Sequence, residues 1–144
     1  GVELAATVQY QSDLTQGTGA AGSSSSAMLF ETHAVLSRGP LGLRALYARW
    51  DLGGAGAKAI GRDKQNGWYL EPSYKLTSEV GVFARYNQWD NNAGSRSSAD
   101  TKIRQVDMGL NYWPQEDVVL KFDVQKQSGA ANDDGFNLGV GYHF

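Results

Sequence analysis

Phe136-Asn137-Leu138-Gly139-Val140-Gly141-Tyr142-His143-Phe144 alternates without a break. Successive side chains of a strand point to opposite faces, so Phe136, Leu138, Val140, Tyr142 and Phe144 share one face and Asn137, Gly139, Gly141 and His143 the other. The same period of two recurs upstream. It predicts eight strands, at about residues 2–11, 27–38, 41–51, 67–77, 80–90, 103–113, 118–127 and 136–144.

The connections alternate in length. Short ones lie at Gly39-Pro40, Thr77-Ser78-Glu79 and Pro114-Gln115-Glu116-Asp117, and long Gly-, Ser-, Asn- and Asp-rich ones at 12–27, 52–66, 91–102 and 128–135. Long loops at one end and tight turns at the other describe an all-β, up-and-down antiparallel transmembrane β-barrel, with residues 1–144 as a single barrel domain or barrel segment.

Written strand by strand, the two faces differ in kind. Val2, Leu4, Ala6, Val8 and Tyr10 share a face, as do Trp68, Leu70, Pro72 and Tyr74, then Val80, Val82, Ala84 and Tyr86, then Val106, Met108, Leu110 and Tyr112, then Val118, Leu120, Phe122 and Val124. Nearly every strand charge falls on the opposite face. An Arg or Lys facing lipid at mid-bilayer costs roughly 2–4 kcal/mol, so this sorting has a physical cause if the apolar side meets lipid. The third strand is ambiguous alone. Its Ala45-Leu46-Tyr47-Ala48-Arg49-Trp50-Asp51 echoes Ala84-Arg85-Tyr86-Asn87-Gln88-Trp89-Asp90, which sets Arg44 inward. The expected pore-lining set is then Glu31, His33, Arg44, Glu71, Lys75, Arg85, Asp107, Lys121 and Asp123. By height along the strands, Tyr10, Trp50, Trp68 and Trp89 form an aromatic belt at the loop end, and Trp113, Tyr142 and Phe144 one at the turn end, as at two membrane interfaces. A soluble sandwich would instead gather its aromatics in mid-strand. If Thr77-Ser78-Glu79 is a three-residue turn, Leu76 pairs with Val80, and stepping back along both strands sets Glu71 opposite Arg85.

Composition removes other classes. No apolar run reaches the length of a transmembrane helix. The 13 basic against 15 acidic residues give no polyanion-binding charge, so nucleic acid is not an expected partner. Without cysteine there is no disulfide frame, thiol nucleophile or Cys-based metal site. His33 and Glu31 share a face, but no serine is fixed beside them by spacing, and an inward polar role is the simpler reading. Asn132-Asp133-Asp134-Gly135 reads as a turn before it reads as a calcium loop. No enzyme activity, cofactor or metal is expected.

Gly67-Trp68-Tyr69-Leu70-Glu71-Pro72-Ser73-Tyr74-Lys75-Leu76-Thr77, Gly81-Val82-Phe83-Ala84-Arg85-Tyr86, Leu110-Asn111-Tyr112-Trp113-Pro114 and the closing stretch resemble the C-terminal part of bacterial outer-membrane porins of the phosphate-selective O/P type. The resemblance implies the C-terminal half of a sixteen-stranded barrel in the bacterial outer membrane, a homotrimer, and outer-membrane lipid around it. It also implies a terminal strand ending in Phe144 that the barrel assembly machinery reads. The inward charges are mixed rather than cationic, so the expected function is a porin-like channel wall for passive diffusion of small hydrophilic solutes or ions, not a phosphate-specific pore. The alternative is that the eight strands close by themselves into a small, non-transporting barrel with a structural, adhesion or anchoring role.

Overall fold

The computed structural model describes residues 1–14, 26–94 and 100–143; Phe144 lies outside the described residues. Eight strands form one antiparallel sheet in chain order: β1 (Val2–Gln11), β2 (Ala27–Arg38), β3 (Leu41–Leu52), β4 (Lys64–Lys75), β5 (Val80–Asp90), β6 (Ile103–Gln115), β7 (Val118–Gly129) and β8 (Gly135–Tyr142). The sheet is open, with β1 and β8 each paired on one side only. One short helix, α1 (Ala55–Ala59), sits in the β3–β4 loop, where no helix was expected. Gly54 and Gly61, at φ 100° and 72°, bend the chain into and out of it. No helix among the described residues is long and apolar enough to cross a membrane.

The tight turns explain their own sequences. Gly39 takes φ 58° ahead of Pro40, whose ring holds φ negative, the sign pattern of a type II′ hairpin turn. In the β4–β5 turn the Thr77 hydroxyl accepts from the backbone N–H of Glu79 at 3.2 Å and of Val80 at 3.0 Å. That local bonding ends β4 at Lys75, two residues before the alternation does. β6 reaches Gln115 through a register shift between Tyr112 and Gln115, just where Pro114 removes a ladder donor. Pro72 leaves a second trace. The β3–β4 ladder runs through it, paired with Leu43, whereas the β4–β5 ladder is interrupted between Leu70↔Tyr86 and Ser73↔Phe83.

Burial is inverted relative to a water-soluble sheet. Among the described residues the one buried hydrophobic side chain is Ala27, while Glu71, Asp90 and Asp107 are buried; the apolar face stands exposed on every strand but β5, where Val80, Val82 and Tyr86 are half-buried. That apolar belt does not follow the rows of paired residues. The row that starts at Val2 passes through Leu36, Leu43 and Pro72, resumes at Met108 and reaches Val124 and Phe136. Val2 is the turn-side end of the apolar run in β1, but Val124 and Phe136 are the loop-side ends of the runs in β7 and β8. The belt, which extends to Tyr10 in β1, has therefore slipped about one residue per strand by β8. With residues 3.4 Å apart along a strand and strands about 4.8 Å apart, that slip inclines the strands roughly 40° to the axis perpendicular to the belt.

Candidate functional site

The sequence-derived wall residues lie on one face. By register, Glu31, His33, Arg44, Glu71, Lys75, Arg85, Asp107, Lys121 and Asp123 all alternate with the apolar belt. Within that face one row carries alternating charge straight across four strands. Arg44 pairs with Glu71, the flanking register places Glu71 opposite Arg85, and Arg85 pairs with Asp107.

Glu71 is the hub. Its residue is 5% exposed. Arg85 Nε donates to Glu71 Oε2 at 2.7 Å, and the Arg85 NH2 group donates to the same oxygen. Arg44 stands 3.6 Å from the other carboxylate oxygen. The guanidinium of Arg85 lies over the Tyr69 ring at 4.9 Å, so its free face is covered by a π-system. Asp107 is 7% exposed, and it is satisfied by amides instead of cations. Asn87 Nδ2 and Gln105 Nε2 each donate to it at 2.6 Å, one to each oxygen.

Toward β8 the network loosens. Asn137 Nδ2 donates to Asp123 at 2.8 Å and to Gln125 at 3.3 Å, both with exposed geometry. Toward the loop end of β2, His33 Nδ1 stands 3.5 Å from Glu31. At the turn end Lys75 sits over the Trp113 ring at 5.1 Å, and that ring also covers Gly81. Arg44, Glu71, Arg85, Asp107, Lys121 and Asp123 border a polar groove of about 270 Å³. Into it faces Asn111, whose Oδ1 is buried without a donor. The groove therefore offers cations, carboxylates and a free amide acceptor side by side, which suits water and small polar solutes and gives no nucleophile–base pair. Among the described residues, no group of three or more His, Asp or Glu could hold a metal ion.

Two aromatic assignments are corrected. Trp50 pairs with Leu29 and Gln65 and has the parity of Arg44, and Trp89 pairs with Gly67 and has the parity of Arg85. Both lie on the polar face and not in the outward belt. Height along the strand was read correctly, but six residues from Arg44 to Trp50 and four from Arg85 to Trp89 are even steps, which return to the same side. Trp89 packs over Gly67, where an added Cβ would meet its Cβ at 3.1 Å. Trp113, over Lys75 and Gly81, is likewise on the polar face. Tyr10, Trp68 and Tyr142 are outward, as expected. The alternation already assigns Asn87, Gln105, Asn111 and Asn137 to this face, but they stand outside the expected pore-lining set, and Tyr69 was not singled out although strand parity places it here too. No family model matches the chain, and neither the curated proteins nor the solved structures contain a match to it.

Proposed function

We propose that this chain forms part of the wall of an outer-membrane diffusion channel that passes small hydrophilic solutes or ions. The observation that carries the reading is the oblique apolar belt. An apolar band that runs across all eight strands, exposed on seven and half-buried on β5, has its perpendicular inclined roughly 40° to the strands, which matches the 35–45° tilt of strands in transmembrane barrels. Charges off the polar face are more numerous than the alternation suggested, but their positions support it too. Arg49, Asp51, Lys64, Asp90, Arg104 and Lys126 share the outward parity, yet each lies beyond the loop-side end of the belt in its strand, and Arg38 lies beyond the turn-side end in β2, where a charge facing lipid costs only roughly 0–1 kcal/mol.

The edges require company in such a setting. Gly1 and Ser37 exchange backbone bonds, and His143 N–H donates to Asp117 O at 2.9 Å, so the odd residues of β1 and β8 face their one neighbour. The backbone groups of Val2, Leu4, Ala6, Val8 and Tyr10, and of Phe136, Leu138 and Val140, point away from the sheet. Lipid cannot satisfy them, so these edges must pair with each other or with further strands.

A second reading has its own support. The Arg44–Glu71–Arg85 network and the doubly bonded Asp107 are the kind of satisfied polar interior that fills a small eight-stranded barrel with no open pore. Planar-bilayer recording of the intact protein from its native membrane decides between them. Stable ohmic conductance with little preference between phosphate and chloride is expected; silence from correctly inserted protein assigns the non-transporting barrel, and strong phosphate preference overturns the general pore.

A further inference from the structure

On the apolar side of β5, β6 and β7, Tyr86, Val106, Met108 and Val124 floor a groove of about 490 Å³ whose loop-side border is Arg104 and Lys126. Both cations have outward parity: Val106 pairs with Lys126 and Arg104 with Ser128, so Arg104 and Lys126 are diagonal neighbours on adjacent strands. Side chains so placed start roughly 7–8 Å apart at the backbone and can converge on one anion. Nothing local neutralises them both. Asp100 makes a long, exposed ion pair with Arg104 at 3.8 Å, and Asp90 Oδ1 accepts from the Asn92 N–H and the Thr101 hydroxyl at 2.9 and 2.6 Å. Lys126 is exposed and has no acidic side chain within ion-pair distance among the described residues.

We infer that this groove holds a phosphate-bearing acylated lipid, its phosphate between Arg104 and Lys126 and an acyl chain along Tyr86, Val106, Met108 and Val124. Rim cations with apolar stems above a hydrocarbon-wide trough complement an anionic headgroup joined to a chain, which neither free phosphate nor a zwitterionic lipid does. The inference rests on the reading that the apolar face meets lipid.

The test uses the intact protein in vesicles of phosphatidylcholine with a minor fraction of phosphatidic acid, followed by native mass spectrometry of the retained lipid. Wild type should retain phosphatidic acid about tenfold over its bulk share, and Arg104→Gln/Lys126→Gln about twofold or less, a loss of the order expected when charge-assisted bonds to phosphate are removed. Val124→Ala serves as the control for the trough and should weaken retention without changing headgroup preference. Insertion is scored separately by protease protection. Failure to insert into any vesicle overturns the membrane reading itself. Normal insertion with equal retention of both lipids, or release of the retained lipid by inorganic phosphate at matched concentration, overturns this inference alone.

Discussion

The middle of the sheet and its two edges obey one alternation and end in different states. In β4, Leu70 on the apolar face is 42% exposed, and on the polar face Glu71 is buried between arginines from β3 and β5. In β8, Leu138 is 75% exposed, and the Asn137 side chain bonds to Asp123 and Gln125 of β7. Burial here comes from lateral neighbours within the sheet and not from depth in a core. A strand with one neighbour is therefore half finished on both faces and along its backbone, and the centre shows what the edges would become if paired.

The largest expected effect tests whether the edges are finished in the assembled protein. Leu138→Pro removes an N–H that points away from β7, and Met108→Pro removes one inside the ladder. If the apolar face meets lipid, both should abolish folding of the vesicle-inserted protein, because an unsatisfied backbone group in lipid costs several kcal/mol. Normal folding of Leu138→Pro would show that the β8 edge stays open and would make centre and edge different in function as well as in form.

Charge removal sharpens the contrast next. Glu71→Ala strands two cations in the central network and should lower stability by about 2 kcal/mol in urea titrations of the vesicle-inserted protein. Asp123→Ala, beside β8, should cost less than about 1 kcal/mol. In a double-mutant cycle Glu71 and Arg85 should couple by about 1 kcal/mol if water reaches them, because both arginines are partly exposed. A coupling of roughly 3–5 kcal/mol would mark a dry interior and favour the small, filled barrel.

Glycines divide the same way. A Cβ on Gly109 in β6 would sit 2.6 Å from the Phe122 carbonyl oxygen and against the Phe83 ring, so Gly109→Ala should cost about 1–3 kcal/mol. On Gly139 in β8 it would meet only the Lys121 Cβ, at 3.7 Å, and Gly139→Ala should lie within about 0.5 kcal/mol of wild type by the same titration. Smallest of all is the stability effect of Phe144→Ala. The urea midpoint should barely move, while insertion in cells slows if the terminal aromatic is read during assembly, and unchanged insertion would remove that role.

Strand positions and faces were legible because a period of two is a local property that every pair of neighbours repeats. The Glu71–Arg85 contact was legible for the same reason, as a short turn fixes the register of the hairpin it closes. Sidedness failed at Trp50 and Trp89 because shared height was allowed to stand for shared face. The helix over Ala55–Ala59 escaped notice because five residues in a glycine-rich loop carry no periodicity. Whether β1 meets β8 was not legible at all. Closure depends on curvature summed over eight strands, to which each residue contributes too little to leave a signal.

The row Arg44, Glu71, Arg85, Asp107 has an electrical consequence beyond its bonds. Charges that change sign at every strand, about 4.8 Å apart, cancel one another at a distance. Their combined potential fades within a few ångströms of the surface, well inside the screening length of about 8 Å in physiological salt. A ring of one sign would project its field across a lumen and sort ions in flight. This face is electrically quiet to anything that does not touch it, so only a molecule pressed into the first layer of water against the wall can feel which residue lies beneath.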